Sequence, residues 1–259
     1  TMDGTASLTF PFSAYDIEGR TQDRTEEDNN VYEQAGGIIK GNPDKKNITL
    51  VFTADQWADG ADDIISALKK NKIKGAFFFT GRFFELHADV VRRLVADGHY
   101  VGSHSYGHLL YAPWENRDSM LITKQQFMDD MRRSYATLAR FGITEAKAPF
   151  FIPPYEYYNS TVCSWARQMG LRIVNFTPGT GTNADYTIPS MKNYRSSDEI
   201  EKRLLDYEHA HTLNGHFLMI HFGTSPERAD KFYKRLPQVI KALRHRGYRF
   251  VSLEDMINS

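Results

Sequence analysis

The stretch GAFFF at residues 75–79 has no polar position, which predicts a strand buried on both faces of its sheet. Segments with apolar residues at helical spacing lie on either side of it, at 62–71 and 88–97. Alternating strands and helices of this kind are typical of a parallel sheet covered by helices. The further predicted strands lie at 48–52, 99–103, 148–152, 172–176, 217–220 and 249–251. With about seven strand–helix units, the sequence predicts an α/β fold close to the eightfold (β/α) barrel.

The first 47 residues differ in character from the rest of the chain. Residues 16–30 are polar and charged and lack apolar periodicity, which indicates irregular structure. Residues 36–40 read as a short strand, and a turn follows at 41–44. We therefore expect an irregular N-terminal arm over residues 1–47, packed on a barrel formed by residues 48–259.

Composition excludes several classes of protein. The 32 basic and 32 acidic residues balance and form no block of like charge, so no nucleic-acid partner is expected. No apolar run approaches the roughly 18 residues needed to cross a bilayer, so no membrane span is expected. The single cysteine, Cys163, can form neither an intramolecular disulfide nor a cysteine-rich zinc site. A chain of 259 residues with 41% hydrophobic content is long enough to bury one large core.

Chemically capable side chains follow the predicted strands, where the active site of a (β/α) barrel lies. His104 and His108 follow the strand at 99–103, and a spacing of four would place both imidazoles on one face of a helix. Asp55 follows the first strand of the barrel and is expected to face the same opening. Two histidines and one carboxylate, with open positions for water, form a catalytic metal site. The alternative is that two surface histidines lie four residues apart by chance.

Other residues at the strand ends have two interpretations each. His221 follows the strand at 217–220 and can be a core histidine with a satisfied hydrogen bond. Beside a metal it is a candidate general acid, since imidazole titrates near neutral pH. The segment Pro-Pro-Tyr at 153–155 is an ordinary barrel loop or the wall of a groove for a sugar, and Trp57 lies in a similar loop.

Short motifs carry a resemblance to a known family. Residues 104–108, HSYGH, match a His-Ser/Thr-x-x-His motif, and residues 218–221, LMIH, match a Leu-x-x-His motif. The segments GAFFFTG at 75–81 and GHYVGSH at 98–104 also look like parts of that family. On these residues, the chain from about residue 48 to the C-terminus resembles the polysaccharide deacetylase family, which is carbohydrate esterase family four.

The resemblance implies a distorted (β/α) barrel with a divalent metal, expected to be zinc, on Asp55, His104 and His108. It implies removal of acetyl groups from a polysaccharide or oligosaccharide, in which water on the metal attacks the acetyl carbonyl and His221 acts as general acid. It also implies a periplasmic or secreted protein whose signal has been removed. The residues expected to contact the glycan are Trp57, Pro154, Tyr155 and Asp185.

Two positions depart from the family pattern. The family has two adjacent aspartates where this chain has Ala54 and Asp55, so the usual general base is missing. The family also has an arginine, which pairs with that base, where this chain has Ile152. An arginine that is buried without a charged partner destabilises a protein. The absence of the arginine is therefore consistent with the absence of the aspartate that it would pair with. The carboxylates that could replace the base are Glu156 as first choice, then Asp59 and Asp185, although each can also be an ordinary loop residue.

The sequence leaves more than one function open. The leading hypothesis is a deacetylase with an altered general base. The second is a carbohydrate-binding protein that keeps the barrel but has impaired catalysis, which Ala54 favours. Hydrolysis of an amide outside sugars is a third option, since one fold can support several reactions.

Overall fold

The computed structural model describes residues 23–24 and 31–259. Its strands are β1 (Asp23–Arg24), β2 (Tyr32–Gln34), β3 (Gly37–Lys40), β4 (Asn47–Ala54), β5 (Ala76–Phe79), β6 (Tyr100–Ser103), β7 (Phe150–Phe151), β8 (Arg172–Ile173), β9 (His216–His221) and β10 (Arg249–Phe250). Its α-helices are α1 (Ala61–Lys70), α2 (Gly81–Leu86), α3 (Ala88–Ala96), α4 (Lys124–Ala139), α5 (Ser160–Gln168), α6 (Ser197–His211), α7 (Leu236–His245) and α8 (Leu253–Asn258). Short 3-10 helices lie at Pro154–Glu156, Thr182–Tyr186 and Phe232–Arg235. None of the helices in these ranges is long and apolar enough to cross a membrane.

The strands after residue 46 form the predicted strand–helix units. Each strand from β4 to β10 leads into at least one α-helix, which gives seven units and confirms the α/β prediction. The strands β9, β4, β5 and β6 lie side by side in parallel, while β7 and β8 form a second parallel pair. Hydrogen bonds from Ile152 N to Ser103 O and from Thr177 N to Phe217 O join this pair to β6 and β9. The two sheets therefore enclose one interior, as in a distorted barrel.

The described part of the expected arm contains regular structure. β2 and β3 form an antiparallel hairpin around Ala35 and Gly36, whose positive φ values suit a two-residue turn. β3 then pairs with β9, and Val31 and Ile38 are fully buried in the core. The short strand predicted at residues 36–40 is thus present as β3, and the structure adds β2, which the sequence did not predict, as its antiparallel partner. The arm's polar segment at 16–30 lies outside the described residues except for Asp23–Arg24, which pairs with β2.

Aromatic packing holds the strand ends that carry the site. Phe52 of β4 and Phe77 of β5 stack with ring centroids 4.8 Å apart. Phe222, directly after β9, contacts Phe77 edge-on at 5.6 Å. The register of the parallel pair places Thr53 opposite His221. This packing fixes the carboxyl ends of β4 and β9 next to each other.

The two longest described helices begin with well-formed caps. Thr123 and Gln126 form a reciprocal capping box at the start of α4, and Ser196 and Glu199 form one at the start of α6. Such a box satisfies two backbone donors that a helix N-terminus otherwise leaves unpaired. It therefore defines where each helix begins, and both helices contribute side chains to the site described below.

Candidate active site

A cleft of about 340 Å³ opens at the carboxyl ends of the barrel strands. Its walls come from the segments that follow β4, β6, β7, β8 and β9, which is where a (β/α) barrel carries its chemistry. The sequence-predicted residues that line it are Asp55, Trp57, His104, His108, Tyr155, Glu156 and His221. Those that do not line it are Asp59, Pro154 and Asp185.

The segment that carries the two histidines is not helical, contrary to the reasoning from their spacing. Ser105 and His108 have positive φ values of 66° and 53°, so the backbone bends back on itself. This bend brings the two imidazole centroids within 5.0 Å. Asp130 of α4 holds the bend, because its Oδ2 accepts from Tyr106 N at 2.9 Å and its Oδ1 accepts from Gly107 N at 2.8 Å.

The imidazole of His104 is buried and held in one orientation. Its Nδ1 lies 2.8 Å from Ile152 O, and because a carbonyl only accepts, Nδ1 carries the hydrogen and Nε2 keeps a lone pair. Burial holds the pKa of His104 well below its usual value, and the neighbouring His108 lowers it further. Burial also lowers the pKa of His108. Both rings are therefore neutral at neutral pH, as metal ligation requires.

Asp55 places a carboxylate in the same cleft. Thr80 Oγ1 donates to Asp55 Oδ1 at 2.8 Å, and Arg82 Nη1 lies 3.6 Å from Asp55 Oδ2. The charge of Asp55 also raises the pKa of His108 against the effect of burial, which indicates that the two groups interact.

The donor set of these three residues fits a divalent metal. Within residues 31–259 the structure shows no group of three or more His, Cys, Asp or Glu side chains arranged to hold a metal ion. Two neutral imidazoles and one carboxylate are nevertheless the ligand types that zinc takes in catalytic sites. The hydrogen bond from His104 Nδ1 to a carbonyl is the support that metal-binding histidines usually have. Asp55, His104 and His108 are thus the residues that could hold the ion.

Glu156 lines the cleft beside His104. Its Oε1 is 3.5 Å from His104 Nε2, and its side chain is only 15% exposed. Burial raises the pKa of Glu156 to about 7, with Asp185 adding to the rise and His221 opposing it. Tyr155 and Glu156 both have positive φ, 59° and 53°, which turns the chain after Pro154 so that the carboxylate faces inward. Strained backbone of this kind at non-glycine residues is frequent at active sites.

His221 is oriented by a buried aspartate. Its backbone N donates to Asp185 Oδ2 at 2.8 Å, and its Nδ1 hydrogen-bonds to Asp185 Oδ1 at 2.5 Å. Burial alone would lower the pKa of His221, but Asp185 and then Glu156 outweigh it, so the pKa is raised. Asp185 is 1% exposed. The structure therefore places Asp185 behind His221 and away from solvent, although the sequence suggested a contact with substrate or a general base.

Asp59 does not reach the cleft. Its Oδ1 accepts from Thr224 N at 2.9 Å, and its Oδ2 accepts from Tyr233 OH at 2.9 Å. Lys231 Nζ lies 3.1 Å from the same Oδ2. Both carboxylate oxygens are thus occupied in joining two loops, and the structure gives no support to the base role suggested for Asp59.

Aromatic side chains form part of the rim. Tyr155 lies against His108 with ring centroids 4.4 Å apart, and Trp114 meets Tyr155 edge-on at 5.9 Å. Trp57 is 39% exposed and lines the cleft. Pro154 is buried in its 3-10 helix and contributes to the turn, not to the lining.

Reasoning from the sequence missed one side of the cleft. Phe176, Asn183 and Tyr186, between β8 and α6, and Arg203 of α6 also line it. No motif in the sequence links α6 to the strand ends. The sequence feature that could have indicated this contact is the pair of glycines at 179 and 181, because they allow α6 to pack closely on the loop.

Comparison with known proteins finds relatives along most of the chain. The chain is 24% identical over 235 residues to an uncharacterized 30.6 kDa protein of Geobacillus stearothermophilus, covering 91% of this chain and 80% of the relative. It is 23% identical to the peptidoglycan-N-acetylmuramic acid deacetylase PdaA of Bacillus subtilis, covering 88% and 78% of the two chains.

Solved structures share the fold. The wild-type form of a CE4 family pseudoenzyme from Bacillus anthracis superposes with a TM-score of 0.69 at 18% identity, covering 87% of this chain and 70% of that one. Bacillus subtilis PdaA, a family 4 carbohydrate esterase, superposes with a TM-score of 0.65 at 18% identity, covering 92% and 95%. The distorted barrel is therefore the fold of these proteins as well. Because the family model for polysaccharide deacetylases matches residues 40–174, which is more than half of the chain, the protein belongs to the polysaccharide deacetylase family.

Proposed function

We propose that this protein is a metal-dependent hydrolase that removes acetyl groups from a polysaccharide or oligosaccharide. The observation that carries the proposal is the position of Glu156, whose Oε1 lies 3.5 Å from His104 Nε2 in the same cleft as His221. The chain has thus kept a carboxylate beside the candidate metal ligands even though the usual position is Ala54. A protein that only binds glycans has no need of a buried carboxylate and a histidine paired with a buried aspartate facing one cleft.

Asp55, His104 and His108 are the residues that would hold the metal. A divalent ion such as zinc supplies positive charge that polarises the acetyl carbonyl and makes water a better nucleophile. The Nδ1 contact of His104 with Ile152 O orients the ring before any ion binds. Thr80, through its bond to Asp55 Oδ1, does the same for the carboxylate.

Glu156 acts as the general base. Its carboxylate takes the proton of the water that attacks the acetyl carbon, a role the family assigns to the position of Ala54. A pKa of about 7, raised by burial, suits a base that works near neutral pH, since the best catalytic pKa lies near the operating pH. The ends of β4 and β7 face the same cleft, so a carboxylate in the turn after β7 can act as the base as well as one at the end of β4.

His221 acts as the general acid. With Nδ1 engaged by Asp185, its Nε2 is the nitrogen left to donate a proton to the leaving sugar oxygen or nitrogen as the bond to the acetyl carbon breaks. The raised pKa of His221 keeps a larger protonated fraction near neutral pH. The products are acetate and the free hydroxyl or amine of the sugar.

A second candidate function is carbohydrate binding with impaired catalysis. Ala54 favours it, because the usual proton acceptor is absent. A similar fold occurs in the Bacillus anthracis CE4 family pseudoenzyme and in its mutant with restored enzymatic activity, so members of this fold with and without activity exist. The location of the protein, proposed to be periplasmic or secreted, fits either function.

Acetate release distinguishes the two functions. The purified protein is incubated with acetylated xylan and, separately, with chitooligosaccharides, after EDTA treatment and after addition of zinc or cobalt. We expect metal-dependent acetate release from at least one of these glycans, and Glu156→Gln is expected to remove it. Binding of glycans without acetate release under any of these conditions, at a metal content of one ion per chain, would establish the binding protein instead.

A further inference from the structure

One wall of the cleft carries a cation that the proposed reaction does not use. Arg203 projects from α6 and lines the cleft together with Asn183, from the 3-10 helix Thr182–Tyr186. Neither residue belongs to the candidate metal ligands or to the proposed acid and base. Both come from the β8–α6 region, where the sequence suggested a role for Asp185 but for neither of these residues.

Two glycines fix where Arg203 lies. Gly181 has φ of +81°, and a Cβ built there would lie 2.9 Å from Arg203 Cδ and 3.1 Å from Arg203 Nε. The arginine stem therefore crosses directly over the Gly181 backbone, and a side chain at 181 would displace it. One helical turn further, Tyr207 lies against Gly179, where a Cβ would be 2.5 Å from Tyr207 Cε2. This face of α6 therefore packs against the loop that contains Gly179 and Gly181.

Tyr207 anchors that face to the barrel. Its hydroxyl hydrogen-bonds with Nε2 of His216, at the start of β9, over 3.1 Å. Residues four apart lie on one side of a helix, so the anchor acts on the same side as Arg203. The guanidinium group is therefore held at the cleft wall by its own stem and by the helix that carries it.

The guanidinium of Arg203 has no partner within the described part of the chain. No hydrogen bond or ion pair from it is found in residues 31–259, and the side-chain amide of Asn183 likewise makes no hydrogen bond there. Two neighbouring cations are paired: Lys202 of α6 lies 2.5 Å from Asp206, and Arg235, at the end of the 3-10 helix Phe232–Arg235, lies 3.0 Å from Glu201. An unpaired arginine in a concave site is suited to bidentate binding of a carboxylate.

We propose that Arg203, with Asn183 on the same wall, binds a carboxylate carried by the glycan, so that acidic sugars are the preferred substrate class. The inference rests on the proposed function, because it assumes that the cleft takes a glycan. Among the residues of the described chain that line this cleft, Arg203 is the only lysine or arginine, so it is the side chain that would attract a carboxylate-bearing sugar away from the candidate metal ligands. A carboxylate of this kind occurs on uronic acids and on sugars with a lactyl ether.

Binding measurements test this without relying on turnover. The zinc-loaded protein is titrated by calorimetry with a glucuronic acid-substituted xylotriose and with neutral xylotetraose, neither of which carries an acetyl group. A second pair compares a chitobiose whose reducing sugar bears a lactyl ether with plain chitobiose, both as free amines. We expect at least one acidic ligand to bind about tenfold more tightly than its neutral partner, the effect of one charge-assisted hydrogen-bond pair.

Variants assign the preference to Arg203. Arg203→Met is expected to remove the preference for the acidic ligand, while Arg203→Lys retains part of it. Lys202→Met is the matched control, since Lys202 is 77% exposed and pairs with Asp206, and it is expected to keep the full preference. Circular dichroism confirms that each variant is folded.

The outcomes separate this inference from the proposed function. Equal binding of the acidic and neutral ligands in both pairs, absence of binding by either acidic ligand, or a preference that survives in Arg203→Met overturns the inference. A preference lost in Arg203→Met supports it even if the protein releases no acetate, in which case only the hydrolase proposal fails. The pair that shows the preference identifies the source of the carboxylate.

Discussion

The Glu156 carboxylate and the His104 imidazole face each other with 3.5 Å between Oε1 and Nε2. The first group comes from the turn after β7 and the second from the segment after β6, so the contact joins two neighbouring units of the barrel. The position where the family pattern has the base carboxylate, Ala54, is 6% exposed at the end of β4. Glu156 thus brings a carboxyl group beside the candidate ligands from a different position in the sequence.

Replacing Glu156 by glutamine tests the proposal that Glu156 is the general base. Glutamine keeps the size and polarity of the side chain but cannot take a proton, so acetate release is expected to fall by about 10²–10⁴-fold. Steady-state kinetics on the best acetylated glycan measures the effect, with metal content determined in parallel. Full turnover in a zinc-loaded Glu156→Gln protein would show that Glu156 is not the base.

Asp59→Asn is the matched carboxylate control. Asp59 is bonded to Thr224 N and Tyr233 OH and lies 3.1 Å from Lys231 Nζ, so its loss is expected to affect stability and not turnover. The melting temperature should fall while kcat at 25 °C stays within about twofold of the wild type, since removing one partner of a part-buried charged group costs roughly 1–3 kcal/mol. A loss of kcat as large as in Glu156→Gln, in a folded protein, would show that Asp59 takes part in catalysis.

The proposed metal site predicts a loss of zinc from single-histidine variants. His104→Ala and His108→Ala each remove one of the three proposed ligands, and neither is expected to retain stoichiometric zinc after dialysis, because the remaining two donors would hold the ion weakly. Elemental analysis gives the zinc content per chain. His211→Ala, which changes an exposed histidine at the end of α6, is the control and should retain zinc. Stoichiometric zinc in His104→Ala would show that the ion binds elsewhere.

The pair of Asp185 and His221 predicts a shift in the pH profile. Asp185 raises the pKa of His221, so Asp185→Asn is expected to lower that pKa while the amide keeps the side chain in place. A general acid must be protonated, and activity falls as pH rises through its pKa. The alkaline limb of kcat/KM is therefore expected to move to lower pH in Asp185→Asn. An unchanged alkaline limb would mean that another group is the acid.

His221→Ala separates this role from metal binding. The variant is expected to retain zinc and to lose about 10²–10⁴-fold in acetate release, the usual contribution of a general acid. Loss of zinc together with activity would make His221 a ligand.

The barrel was predictable from the sequence because the patterns that indicate its strands and helices are local. Strands such as 75–79 are apolar throughout, helices such as 88–97 have one apolar face, and each pattern can be recognised without knowing its neighbours. The hairpin at 32–40 was harder to recognise. Its strands are only three and four residues long, and their place in the sheet depends on β9, which lies almost 180 residues later.

The sequence predicted the site residues that belong to a motif. It did not predict the contacts that depend on the conformation of the backbone. The spacing of His104 and His108 suggested a helix, yet the rings meet because Ser105 and His108 adopt positive φ and Asp130 holds the bend. Positive φ at these residue types has no local signature in the sequence. Arg203 was missed for a related reason, since its contact with Gly181 joins a helix to a loop with no motif between them.

The buried hairpin predicts a stability cost when its core residue is truncated. Ile38 of β3 is fully buried, and its carbonyl accepts from Asn175 N at 2.9 Å, so it joins β3 to the segment after β8. Ile38→Ala is expected to lower the free energy of unfolding by about 2–5 kcal/mol, measured by urea titration. A change below about 0.5 kcal/mol would show that the hairpin is an accessory arm and not part of the barrel core.

Acid stability provides a test of the core that does not depend on the active site. His99 is 9% exposed, and its Nδ1 accepts from Gly75 N at 3.1 Å. Burial lowers the pKa of His99 to about 4 from 6.5, and Lys74 adds to the decrease. A proton on Nδ1 would face the Gly75 N–H and break the bond. The folded state therefore disfavours the charged ring.

The sign of the pH effect follows from this lowered pKa. Between pH 6.5 and 4 the unfolded chain binds more protons at His99 than the folded chain, so stability is fully present above pH 6.5 and is lost as pH falls toward 4. From pH 7 to pH 5, His99 contributes a loss of roughly 2 kcal/mol. Burial also lowers the pKa of His216 to about 4, so His216 contributes in the same direction.

In His99→Gln, urea unfolding with EDTA present should show a smaller loss of the free energy of unfolding between pH 7 and pH 5, with the contribution of His216 remaining. An equal loss in both proteins would mean that His99 is already protonated in the folded state at pH 5.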